Sequence, residues 1–206
     1  MTSDDVTPVV SSARERILTA AYELFSRRGI RAVGTDEVIE RAGVARATLY
    51  RHFSTKDALV LAVLQRREDV WTHGLIEEQS RARAATPEGQ LLAIFDVMHE
   101  WIQSHDTYEG CSFINVFLEL GADHPAGQAC VAHIDHVRDI VRRRAVAAGL
   151  TDVEDFASSW HILMKGAMIL AAVGDLDAAL RARRMAVSLI DEHRPVEPVE
   201  IGEAVG

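Results

Sequence analysis

Between Thr35 and Asp57 the chain reads TDEVIERAGVARATLYRHFSTKD, and Arg46, Thr48, Tyr50, Arg51 and His52 crowd two guanidinium groups, two hydroxyls and an imidazole into one short stretch. Groups of this kind donate hydrogen bonds to phosphate oxygens and base edges, and a guanidinium can meet guanine O6 and N7 in bidentate fashion. They need an element that shows them to a partner while hiding its own apolar side. Leu49 and Phe53, four residues apart, supply that side on a short helix beginning near Arg46. Upstream, Thr35 as N-cap, Asp36 and Glu37 in the first turn, and Val38, Ile39 and Ala42 on one face predict another short helix. Gly43 ends it, because glycine enters the left-handed conformation without a Cβ penalty, and Gly43-Val44-Ala45 reverses the chain. A short helix, a glycine turn and a second helix bearing basic and hydroxyl groups is the helix-turn-helix plan, whose second helix enters the DNA major groove.

Composition and charge say what carries this stretch. A chain of 206 residues, 48% hydrophobic, with near-neutral mean hydropathy, is a globular protein large enough for one domain or two small ones. No apolar run approaches the ~18 residues of a membrane span, and the acidic start MTSDDVTP is not a signal peptide. Cys111 and Cys130 form no C-x-x-C pair; they read as buried thiols in a reducing cytoplasm. The net charge of −9 is unevenly spread. Ala13 to Arg67 holds eleven Lys and Arg against six Asp and Glu, whereas Glu68 to Gly206 holds eleven against twenty-three. One part is made to approach a polyanion and the other is not.

Local signals bracket the basic part. Residues 1–11 read as a disordered leader. Ser12-Ala-Arg-Glu15 is a capping box opening a helix with Ile17, Ala21, Leu24 and Phe25 on one stripe, closed by Arg27-Arg28-Gly29. Val38, Ile39, Val44, Leu49 and Phe53 are its natural packing partners. Ser54-Thr-Lys-Asp57 is a second capping box, opening a long helix with Leu59, Val63, Val70 and Trp71. The segments AAYELFSRRG and AGVARATLYRHFSTKDAL, with the long helix that follows, resemble the amino-terminal domain of TetR-type transcriptional regulators over about residues 13–64. Two positions depart from the family pattern: Ala45 stands where a capping serine is common, and Gly34 where a β-branched or polar residue is common.

The resemblance implies a homodimer with two reading heads on operator half-sites about 34–36 Å apart, or a multiple of that. It assigns operator contact to Thr35, Arg46, Ala47, Thr48, Tyr50, Arg51, His52 and Lys56. Arg46 suits a base edge or a nearby phosphate; Thr48, Tyr50, His52 and Lys56 suit phosphates. The expected organisation is all-α: a leader at 1–11, a helix-turn-helix domain at 12–56, a helical regulatory and dimerisation domain at 57–193 and a loose tail at 194–206, with about nine helices in total.

Beyond Glu68 the pattern is that of a helical bundle. Pro87 starts a helix with Leu91, Phe95, Met98 and Ile102; Gly110 interrupts; Phe113, Phe117 and Leu120 mark a shorter one. A helix from about Gly127 to Ala148 ends at Gly149 with Arg142-Arg143-Arg144 near its negative end. Thr151-Asp-Val-Glu154 is a third capping box, before a helix with Phe156, Trp160, Leu163, Met164 and Ala167. In the last two helices Gly166, Ala167, Ala171, Ala172 and Gly174 permit close approach, while Leu176, Leu180, Val187 and Ile190 extend an apolar surface. Two such hairpins form a four-helix bundle across a two-fold axis, and the resembled family dimerises there.

The family also encloses a ligand cavity behind the reading head. Phe95, Met98, His99, Ile102, Phe113, Phe117, Trp160, His161, Met164 and Met168 are the candidate lining for a small-molecule effector, although Met and aromatic residues at helical spacing are more often plain core. Histidines suggest a second reading, a zinc- or nickel-sensing regulator of the same fold. Its ligand candidates are Glu119, His133, His136 and His161, with His99 and His124 nearby in pattern, against ordinary solvated or hydrogen-bonded histidines. His99-Glu100 begins a zincin-like sequence, but Gln103 occupies the second histidine position. Enzyme chemistry is the remaining class, and the chain carries no nucleophile elbow, phosphate-cradling glycine loop or Rossmann fingerprint. The expectation is a cytoplasmic, ligand-responsive repressor without cofactor, and not an enzyme.

Overall fold

The computed structural model describes residues 11–104 and 110–195. The expected leader up to residue 10 and the tail from residue 196 lie outside the described residues. Among the described residues every regular element is helical and there is no strand. The elements are α1 (Ala13–Arg28), α2 (Thr35–Ala42), α3 (Arg46–His52), α4 (Lys56–Glu68), a π-helical stretch (Asp69–Gln79), α5 (Ser80–Ala82), α6 (Pro87–Gln103), α7 (Ser112–Leu120), α8 (Pro125–Ala147), α9 (Val153–Ala172) and α10 (Ala178–Glu192). Because α4, the π-helical stretch and α5 follow without a break, the described residues carry nine helical rods. The all-α expectation is met.

Two compact units make up the chain. In the first, the residues up to Asp69 are joined by Cys111–His133; the second takes up Val70 to Gly110 and the chain from Ile134. The first unit has the core that the pattern of α1 demands. Ser12 caps α1 by accepting the Glu15 N–H at 3.2 Å, and Ile17, Leu18, Ala21 and Phe25 are buried against Val38, Ala42, Leu49 and Phe53. Leu59, Val60, Val63 and Leu64 of α4 close the cluster. Phe113 and Val116 of α7, with Ala126 and Cys130 of α8, belong to the same cluster. At ~1.5–3 kcal/mol for each large apolar side chain taken out of water, this core is what holds the short α2 and α3 in place.

Three expected caps move by one residue, two through local bonds and one through a distant partner. Gly34, not Thr35, is the N-cap of α2: its extended backbone presents its N–H to the Glu37 carboxylate at 3.1 Å, and Thr35 becomes the first helical residue. Thr55, not Ser54, caps α4 by accepting the Ala58 N–H at 3.0 Å. Asp152, in the left-handed region at φ 47° and ψ 48°, precedes α9, while Thr151 donates its N–H and its hydroxyl to the His193 carbonyl at 2.8 and 3.1 Å.

In the second unit α10 packs on α9 and α6, and α5 on α6. Thr86 caps α6, whose first residue is Pro87, and Leu91, Ile94, Phe95, Met98 and Ile102 are buried. Trp160 lies 5.1 Å from the Phe95 ring and 5.3 Å from the Phe156 ring. The expected apolar surface of α10 divides: Ile190 is inside, Leu180 half-buried, and Leu176 and Val187 exposed. Ala167 and Ala171 of α9 also face inward. Arg144 does not serve the end of its own helix. Its guanidinium is buried and reaches the carbonyls of Glu77 (2.9 Å), Gln90 (3.1 Å) and Ile76 (3.3 Å) and the Ser80 hydroxyl (2.7 Å). The Ile76 carbonyl also accepts from the Ser80 hydroxyl, so Arg144 joins a small buried network. Burial pushes its pKa down to about 10. Arg142 and Arg143 pair instead with Asp139, Glu154 and Glu77.

Candidate nucleic-acid interface

The turn between α2 and α3 is built by Gly43 at φ 61° and ψ 45°. Its N–H donates to the Glu40 carbonyl at 3.2 Å and that of Val44 to the Ile39 carbonyl at 3.3 Å, the paired closure that satisfies the last carbonyls of a helix. Nothing lies within 4 Å of a Cβ built there, so backbone conformation, not crowding, calls for glycine. The chain then enters α3 through Ala45, which is extended and gives no side-chain cap.

Leu49 and Phe53 pin α3 to the core at 0% and 4% exposure. The opposite consequence is that Arg46, Ala47, Tyr50, Arg51 and His52 are exposed, with Thr48 half-buried. Two contacts tie this face to the start of α2: Arg46 Nη2 stands 2.5 Å from Asp36 Oδ1, and the Tyr50 and Thr35 hydroxyls are 3.2 Å apart. The freed Thr35 hydroxyl thus orients Tyr50. Lys56, at the first turn of α4, donates to the Ile30 carbonyl, which uses one of its three ammonium protons. Glu37 accepts from Gly34 and pairs with Arg28; the backbone hydrogen bond first, then the guanidinium, hold its pKa below the usual carboxylate range.

One residue of this arrangement carries no sequence signal. Glu119 of α7 accepts the N–H of Ile30 at 2.8 Å and of Arg31 at 2.6 Å, one on each carboxylate oxygen. It therefore anchors the loop between α1 and α2 from 88 and 89 positions away. This was a metal-ligand candidate, and both its oxygens are engaged. The other histidine candidates are scattered: His133 is buried and stacked on Phe113, His124 stands 3.6 Å from Asp57, and His136 is exposed. Among the described residues no three His, Cys, Asp or Glu side chains gather as a metal site.

The effector candidates fall in both units. Phe113, buried, and Phe117, half-buried, pack in the first. Phe95, Met98, Ile102, Trp160, Met164 and Met168 are buried in the second, with His99 and His161 partly so. His99 Nδ1, both ring nitrogens of His161 and Trp160 Nε1 are buried without a hydrogen-bond partner among the described residues. Burial above all, then the charges of Lys165 and Arg138, press the His161 pKa down to about 3, so its ring is neutral. Cys130 is a buried thiol whose pKa burial raises to about 12, an inert environment. No helix of the described residues is long and apolar enough to cross a membrane.

The comparisons with known proteins place this geometry. Residues 17–63 match the family model of bacterial regulatory proteins of the tetR family, and residues 87–185 match the C-terminal domain model of LmrA/YxaF-like transcriptional regulators. The HTH-type transcriptional activator FasR of Mycolicibacterium smegmatis is 32% identical over 164 residues, 71% of each chain. The chain belongs to the TetR family. Solved TetR-family structures agree: SCO4454 from Streptomyces coelicolor superposes with a TM-score of 0.82 at 29% identity, covering 89% of this chain and 96% of that one. The putative regulator sav143 from Streptomyces avermitilis gives 0.76 at 26% identity, covering 89% and 98%. As a TetR-family protein it is a DNA-binding transcriptional regulator, and α2, the Gly43 turn and α3 are its helix-turn-helix.

Proposed function

We propose that the protein is a cytoplasmic repressor that binds a pseudopalindromic operator as a homodimer and is released by a small-molecule effector. The observation that carries the reading is the division of α3, whose apolar residues are sunk in the core while Arg46, Tyr50, Arg51 and His52 stand in solvent together. Operator contact is assigned to these and to Thr35, Ala47, Thr48 and Lys56. Dimerisation is assigned to α9 and α10, supported by the exposure of Ile162 (71%), Ile169 (63%), Val173 (77%) and Met185 (60%) in one helical hairpin. Effector binding is assigned to Phe95, Met98, His99, Ile102, Trp160, His161, Met164 and Met168. Buried ring nitrogens without a partner are what a ligand with one or two hydrogen-bonding groups would satisfy. Such a ligand releases DNA only by binding the operator-incompetent state more tightly.

Fluorescence anisotropy with duplexes flanking its own gene tests this. Binding should weaken steeply between 50 and 200 mM salt, as phosphate contacts require (a window of about fourfold in salt), and Arg46→Ala should cost about 1–3 kcal/mol at the operator. Unchanged affinity in that variant would remove the base-contact assignment. Reporter expression that falls, not rises, on deletion of the gene would replace repression with activation, the role named for the FasR relative.

A further inference from the structure

Inside the first unit a cavity of about 220 Å³ opens among α1, α4 and α7, lined by none of the residues assigned above to operator or effector. Phe25, Ile30, Val60, Val63, Leu64 and Val116 give it an apolar wall, and all six are buried. Its polar side comes from Ser26, Arg67, Ser112, Asn115 and Glu119. Asn115 is exposed and Ser26, Arg67 and Ser112 are half-buried, so this side is the way in from solvent. The cavity exceeds the ~150 Å³ of an apolar one that takes up benzene, and an apolar wall with a few polar groups is the make-up of a small-molecule site.

Both charged groups in the lining are already committed, and that decides what the cavity accepts. Each carboxylate oxygen of Glu119 takes one backbone N–H, from Ile30 at 2.8 Å and from Arg31 at 2.6 Å. A Cβ on Gly29 would stand 3.0 and 3.2 Å from the same two oxygens, so the carboxylate is closely seated. Arg67 has a partner of its own, and its guanidinium carbon lies 5.7 Å from the centre of the Tyr22 ring. An entering anion would lie beside Glu119 and an entering cation beside Arg67, each leaving water for a lining whose counter-charge is spent. A neutral molecule meets neither cost. We propose that this cavity binds a small neutral molecule of the phenol type, with a compact aromatic body on the apolar wall and one hydroxyl hydrogen-bonded by Ser26 or Ser112. Ile30 belongs both to the wall and to the Glu119 contact, so an occupant touches the loop that leads into α2.

The test titrates the full-length protein with phenol, toluene, benzoate and benzylamine, and follows calorimetry and backbone amide NMR shifts. Phenol should saturate below about 10 mM, a weak but measurable affinity for a ligand this small. The two charged analogues should bind at least about tenfold more weakly. The Ile30 and Arg31 amides should shift with phenol. Ser26→Ala and Ser112→Ala together should weaken phenol about threefold or more and leave toluene unchanged. Val116→Phe, which fills the cavity from α7, should abolish binding of both, and thermal melts report that each variant folds. The wild-type shifts and the preference for neutral over charged ligands decide the matter even where Val116→Phe does not fold. The proposal is overturned if phenol does not saturate, if benzoate or benzylamine binds as tightly, or if the shifts appear on α6 and α9 and not on residues 29–31. It is equally overturned if the serine variant leaves phenol unchanged, or if folded Val116→Phe protein binds phenol as the wild type does. None of these outcomes depends on the operator or on the effector assignment.

Discussion

At the residue scale, single atoms decide how α3 is held and how its neighbours respond to pH. Ala45 is the N-cap of α3 in extended conformation and offers no side-chain acceptor, so the first N–H groups of a helix only seven residues long go without one. Ala45→Ser restores a cap at a position whose backbone already suits it. It should add about 1 kcal/mol of stability and raise the melting temperature by ~2–4 °C in a thermal scan. His161 makes the opposite kind of statement. Its pKa falls from 6.5 to about 3 on folding, because burial disfavours the charged ring. Below pH 6.5 the unfolded chain takes up a proton that the folded chain refuses, so stability present above that pH is lost as pH falls toward 3. The loss is about 1.4 kcal/mol at pH 5.5. His161→Leu should flatten the acid side of a urea-unfolding profile by that amount, and an unaltered profile would mean that the ring is not refused its proton.

At the element scale, helices here are fastened by partners far along the chain. Arg144 of α8 ties the π-helical stretch Asp69–Gln79 to its surroundings by donating to the carbonyls of Ile76, Glu77 and Gln90 and to the Ser80 hydroxyl. Arg144→Met keeps the bulk but orphans buried acceptors. It should cost about 2–4 kcal/mol in chemical denaturation, with Arg144→Lys intermediate because one ammonium cannot span four acceptors. The α1 stripe, the Gly43 turn and the Leu49–Phe53 pair were legible in the sequence because each is a spacing of three or four residues or a conformational demand on one residue. Ile190 inside and Val187 outside were not legible. A helix with alanines at 178, 179, 182 and 186 can bury several faces, and only the position of α6 and α9 selects one.

At the scale of the whole molecule, the uneven charge and the exposed apolar residues divide the labour. A basic segment from Ala13 to Arg67 is set in a chain of net charge −9, so attraction to a polyanion is confined to the helix-turn-helix end of the sequence. Ile169 on α9 and Val173 just after its end stand at 63% and 77% exposure, where water is a poor partner. If α9 and α10 close the dimer, Ile169→Glu or Val173→Glu should leave the helical circular dichroism intact. Each should shift sedimentation from dimer to monomer, and affinity for a palindromic duplex should fall by at least ~10²-fold with the loss of the second head. Dimers that persist in both variants would move the interface elsewhere.

By itself the sequence determined the family, the all-α class and the helix-turn-helix, because caps, a left-handed glycine and i, i+4 pairs act over a few residues and are written locally. Tertiary structure gave two expected capping residues distant partners: Thr151 bonds to His193 and Thr35 to Tyr50. It also decided that Glu119 anchors Ile30 and Arg31, that Phe113 packs with the reading head, and that α1, α4 and α7 enclose a cavity. Those contacts join residues far apart in the chain. Their energy comes from packing and from buried hydrogen bonds that exist only once the helices have met, and no spacing along a single strand of letters encodes them.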